Sequence, residues 1–159
     1  MAHVTIEYII MVPLLILQIF LFPFAASVAM NSWVDSRRTL TLQETASHLG
    51  SSIQQTYLSL NYTTISAANV TNKLDVPPFI EGYAYTGTAT LRTVTDPAPG
   101  SKVLELTLKF KGVEISTTTT VTLGQNVEWK DSTFMSNSTS TCLQAEKYGN
   151  GTIKLSFEP

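Results

Sequence analysis

Residues 8–34 read YIIMVPLLILQIFLFPFAASVAMNSWV, and this uncharged stretch decides the architecture. Eighteen of its 27 residues are large and apolar. As a helix rising ~1.5 Å per residue, the stretch is roughly 40 Å long. A bilayer's hydrocarbon core is about 30 Å thick, so the run can span one with tilt to spare. A secretory apolar region is shorter, ~7–15 residues, and follows a basic stretch. Nothing basic precedes this run, which opens from Met1-Ala2-His3-Val4-Thr5-Ile6-Glu7, so it reads poorly as a conventional cleaved signal peptide. Pro13 and Pro23 interrupt it. Each deletes a main-chain donor and costs ~3 kcal/mol in a regular helix. In a dry environment the freed carbonyls of Ile9 and Ile19 need new partners. One reading is a kinked transmembrane helix; the other is a helix that bends so that many copies pack around an axis. Ala25 and Ala29, four apart, let helices approach closely.

After Asp35 the same helical period continues one-sidedly. Leu42, Ala46, Leu49, Ile53, Tyr57 and Leu60 recur at spacings of three and four, with Gln43, Glu44, Ser47, Ser51, Gln54 and Gln55 between them. Gly50 is the weak point, at about 1 kcal/mol relative to Ala. The pattern predicts one helix over about residues 4–59. Residues 8–34 are apolar all round and 35–60 are amphipathic, as a rod needs if one end is buried and the other packs on a globular body.

From residue 61 the character changes again. Residues 61–78 are polar, end in Pro77-Pro78, and read as a connector. Residues 79–159 show a period of two. Leu104, Leu106, Leu108 and Phe110 alternate with polar residues, and Val113, Ile115, Thr117, Thr119, Val121 and Leu123 do the same after a turn at Lys111-Gly112. Residues 83–94 read as a strand ended by a turn containing Pro97 and Pro99. Val127 and Trp129 begin another strand after Gly124, and Ile153, Leu155 and Phe157 mark a last one. The expected fold is α+β: a long N-terminal helix, then a small antiparallel sandwich, immunoglobulin-like or a curled sheet, in a lollipop layout. At about 80 residues the body needs the amphipathic helix face to complete its core.

Composition narrows the function. The 159 residues carry ten Lys and Arg against twelve Asp and Glu, a net charge of −2, which excludes a nucleic-acid binder working by bulk positive field. One of those 22 charges, Glu7, falls within residues 1–34. A single Cys, Cys142, excludes an intrachain disulfide and a Cys-based zinc cluster, and it reads as a small buried apolar residue. With His3 and His48 the only histidines, no metal site is expected. No nucleophile elbow or phosphate loop is present, so no catalytic residue and no cofactor is assigned. Tyr83, Tyr85 and Trp129 read as core or plain surface residues rather than a sugar-binding patch. Asn61, Asn69, Asn137 and Asn150 each begin an Asn-x-Ser/Thr acceptor, all in the polar part. N-linked glycans on an extracellular surface are therefore expected. That argues against Arg37-Arg38 as a cytoplasmic anchor flank, and they read instead as the polar edge of a packed helical core.

Glu7 is costly at the head of an apolar run unless exposed or paired. The helix macrodipole favours an acid there by roughly 0.3–1 kcal/mol. The nearest cation in this chain is Arg37, so the other candidate partner is the α-amino group of a neighbouring copy.

The stretch His3-Val4-Thr5-Ile6-Glu7-Tyr8-Ile9-Ile10-Met11 resembles the archaeal class III signal and pilin start motif, Gln-x-Ser-x-Glu-x-x-x-Leu. His3 stands for Gln, Thr5 for Ser and Met11 for Leu, and Glu7 matches. Pro23 falls about where type IV pilins carry a helix-bending proline. The resemblance implies a pilin, the subunit of a helical homopolymer. It implies cleavage by a prepilin peptidase between Ala2 and His3 or upstream, and Glu7 neutralising the amine of the adjacent subunit. It further implies residence in the membrane before assembly, an assembly ATPase with its membrane platform, glycans on the sequons, and an extracellular adhesive filament. The rotating archaellum filament subunits are close relatives in this family. A membrane-anchored accessory or stator protein with a β-sandwich would have the same two-part layout.

Overall fold

The computed structural model describes residues 2–94 and 100–158, with side chains from residue 9 onward. Helix α1 runs Ala2–Leu60, close to the expected limits. The chain divides into two compact units, Met1–Arg37 and Arg38–Pro159. The turn expected around Pro97 and Pro99 and the side chains of Ala2, His3 and Glu7 lie outside the described residues.

In the second unit the predicted helix face is the buried one. Leu42, Ala46, Leu49, Ile53, Tyr57 and Leu60 are all at most 5% exposed. Thr45 and Thr56 join that face without stranding a hydroxyl, because each returns a hydrogen bond to the carbonyl four residues back, at 2.8 and 2.9 Å. Gly50 is more than a tolerated weakness. A Cβ built there would lie 2.9 Å from Cγ2 of Val121, so the missing side chain lets the sheet close onto the helix.

Eight strands follow: β1 (Ala68–Lys73), β2 (Tyr85–Thr93), β3 (Lys102–Phe110), β4 (Ser116–Leu123), β5 (Val127–Trp129), β6 (Thr133–Met135), β7 (Cys142–Lys147) and β8 (Ile153–Glu158). They form two four-stranded sheets, ordered β1-β7-β8-β5 and β4-β3-β2-β6. Their apolar residues and the α1 face make one core. The alternation read in β3 and β4 holds: Leu104, Leu106, Leu108 and Phe110 point inward, as do Val121, which pairs with Leu104, and Leu123. Gly87 of β2 lies across from Phe134 of β6, whose ring occupies the space a Cβ would need.

Four details differ from the sequence reading. Residues 61–78 are not all irregular: they contain β1, an edge strand antiparallel to β7. Five of its six residues are exposed, so main-chain pairing holds it and no alternation betrays it. The β3–β4 connection is longer than a two-residue hairpin, because β4 starts only at Ser116. The sheets are mostly antiparallel, yet β5 runs parallel to β8. Cys142 is half-buried rather than buried, since in β7 the inward positions belong to Leu143, Ala145 and Lys147.

Lys147 ends the helix. Its side chain is buried, and Nζ donates to the carbonyls of Leu60 and Tyr62 at 2.8 and 2.9 Å. The last carbonyls of a helix lack intrahelical partners and carry the negative end of its dipole, so a buried ammonium satisfies both needs.

Candidate assembly interface

Within Met1–Arg37 the helix has no second element to bury it. Sixteen large apolar side chains between Ile9 and Trp33 are 47–79% exposed. The segment has a mean hydropathy of 2.5 over its most apolar window, enough to cross a membrane by length and composition. Pro13 and Pro23 sit inside the continuous helix. Each proline lacks the N–H that would bond to Ile9 or Ile19, so those two carbonyls lose their α-helical partner. One side of the helix forms an apolar groove of about 580 Å³ lined by Pro13, Ile16, Leu17, Phe20, Leu21 and Phe24. Ala25 and Ala29 are exposed. At ~100° per residue they share a face with Gln18, turned away from the groove. At the polar end Arg37 lies over the Trp33 ring, 5.8 Å from its centroid.

The sequence reading paired Arg37 with Arg38 as one polar edge. Arg38 belongs to the second unit, where its Nε is 3.3 Å from Oε2 of Glu81 and its guanidinium lies 4.8 Å from the Tyr83 ring centroid. Glu81 and Gly82 make a tight turn with φ of 48° and 83°. Ile80 and Tyr83 close that turn with two main-chain bonds of 3.0 Å. Nothing in the local sequence announces this contact, which spans 43 residues.

The four acceptor asparagines are all exposed. Three of them gather where α1 stops. Asn61 follows Leu60, and its Oδ1 accepts from Nδ2 of Asn126 at 3.0 Å. The same Asn126 nitrogen donates to the Gly151 carbonyl at 2.8 Å, beside Asn150. Asn150 Oδ1 accepts the main-chain N–H of Thr152 at 3.0 Å. Asn69 in β1 stands opposite Glu146, next to the capping Lys147. Asn137 follows Ser136, whose hydroxyl donates to the Pro78 carbonyl at 2.8 Å. A glycan is attached through the amide nitrogen, so acceptance at Oδ1 of Asn61 and Asn150 leaves the linkage chemistry open.

Of the aromatic residues weighed as a sugar patch, Tyr85 belongs to the core, and Tyr83 and Trp129 are half-buried against it. Tyr85 is buried and its hydroxyl donates to the Pro77 carbonyl at 2.7 Å. Tyr83 packs edge-on to Phe110, and Trp129 edge-on to Phe157. Among the described residues no three His, Cys, Asp or Glu side chains gather to hold a metal ion. Compared with known protein families, curated proteins and solved structures, the chain matches none.

Proposed function

We propose that this chain is the structural, non-catalytic subunit of an extracellular helical filament of the archaeal type IV-like pilin kind, serving surface adhesion. The apolar half of each copy packs against other copies in the filament core, and the β body forms the outside. One observation carries the reading: sixteen large apolar side chains stand exposed on a proline-interrupted helix, in the same chain as a polar body bearing four exposed glycan acceptors. In the membrane the helix already lies among apolar tails, so bundling gains little from the hydrophobic effect. Close packing, the pairing of Glu7 with a neighbour's amine, and an ATPase-driven platform supply the drive. Outside the cell the comparison reverses. Each released subunit exposes those side chains to water at roughly 1.5–3 kcal/mol apiece.

Electron microscopy of shear-released surface material tests this. Thin helical fibres containing the chain are expected, with Glu7→Ala abolishing them while the precursor remains inserted. Normal fibre yield from Glu7→Ala rejects the charge pairing. A second reading rests on the membrane-crossing capacity of the same segment. It is a membrane-anchored accessory or stator protein, found only in membranes and as a monomer or dimer in detergent. A pilus and a rotating archaellum filament share the proposed build; loss of swimming in cells lacking the chain marks the latter.

A further inference from the structure

The dry half of the helix carries an acceptor deprived of its α-helical donor and a lone polar side chain. The acceptor is the Ile9 carbonyl, released by Pro13, and Pro13 lines the apolar groove. The donor is Gln18. Between residues 9 and 26 it is the one side chain with a hydrogen-bond donor, and it is exposed. Hydrocarbon offers neither group a hydrogen bond, and a neighbouring helix is one of the partners that can.

The two cannot meet within one chain. Nine residues of helix separate them by ~13 Å along the axis. They also face apart: at ~100° per residue, Gln18 lies about 130° around the helix from the centre of the groove. A second copy resolves both. We propose that the Gln18 amide of one copy donates a hydrogen bond to the Ile9 carbonyl of a neighbouring copy, the carbonyl that Pro13 frees at the end of that copy's apolar groove. This rests on the filament reading and names the contact that sets its register.

Donor face and acceptor face are different surfaces of the same helix, so the contact is head-to-tail. Such contacts build closed rings or open helical arrays rather than two-fold dimers, and a fibre is the open case. Ala25 and Ala29, on the Gln18 face, leave space for the bulky Phe20 and Phe24 side of the neighbour. Small side chains on the Gln18 face let the groove side of a neighbour approach closely.

A double-substitution cycle on native fibres tests the pairing. Gln18→Met keeps the side-chain length and deletes the donor. Pro13→Ala restores the N–H that satisfies Ile9 within its own helix. Gln18→Met fibres should release subunits into detergent about three- to tenfold faster than the native ones. In the Pro13→Ala background Gln18→Met should add nothing further. An unchanged release rate, a full effect retained beside Pro13→Ala, or suppression by Pro23→Ala instead overturns the proposal. Should Gln18→Met fail to assemble, a map of the native fibre decides. The Gln18 amide nitrogen within about 3.2 Å of a neighbour's Ile9 oxygen supports the pairing, and any other partner overturns it. Absence of fibres from the unaltered chain removes the filament reading itself, and this contact with it.

Discussion

Lys147 and Tyr85 show how much a single side chain can carry in this body. Lys147 is a charge placed at an inward strand position, where a leucine would be expected from the neighbours Leu143 and Ala145. It is tolerated because the carbonyls of Leu60, the last residue of α1, and of Tyr62 just beyond it accept its hydrogen bonds. Lys147→Met removes the ammonium and leaves the buried Leu60 carbonyl without this partner. We expect a loss of about 2–3 kcal/mol, read from chemical unfolding of the full chain in detergent. Burial pushes the Tyr85 phenol well above its ordinary value, and the folded state therefore holds it neutral. A pKa raised by folding contributes stability that is complete below the unfolded value of about 10 and is lost as pH climbs beyond it. Thermal midpoints of the native chain should fall between about pH 10 and about pH 12 more steeply than those of Tyr85→Phe. At neutral pH Tyr85→Phe should be weaker by about 1 kcal/mol, for the lost bond to the Pro77 carbonyl. Parallel alkaline curves for the two proteins would contradict the assignment.

At the scale of elements, the second half of α1 and the edge strand β1 are opposites. The helix is held by burial. Leu49 is 1% exposed and Leu58, nine residues along, is 54% exposed. Leu49→Ala should cost about 2–5 kcal/mol by leaving a cavity against the sheets, whereas Leu58→Ala should change stability by under about 0.5 kcal/mol. Denaturant midpoints of the two variants check this, and equal effects would mean the helix face is not the one that packs. Strand β1 is held by main-chain bonds to β7 alone, with almost no side chain buried. That difference explains their legibility. A buried helix face writes a period of 3.6 into the sequence, and all six apolar residues it predicts are buried, with Thr45, Gly50 and Thr56 beside them. A strand exposed on both faces writes nothing, so β1 hid inside an apparent connector.

For the whole molecule, two surfaces with opposite demands share one chain: sixteen exposed apolar side chains in one unit, and four exposed acceptor asparagines in the other. If the body is the outer face of a fibre, sugar on the acceptors keeps it soluble and blunts the free edge of β1, where Asn69 sits. Intact mass of native material should exceed the chain mass by discrete glycan increments. Asn61→Gln, Asn69→Gln and Asn150→Gln should each remove one, and an unmodified mass would remove the sugar coat from the argument. The sequence by itself determined the α+β order, the length of the helix, its buried face and the alternating inner face of β3 and β4, because each follows from local periodicity and the burial it imposes. Only the tertiary structure decided the parallel β5–β8 pair, the Lys147 cap, the Arg38 contact with Glu81 and Tyr83, and the closeness that Gly50 and Gly87 allow. Those depend on which distant segments meet, and no local pattern of polarity encodes a partner 43 or 87 residues away.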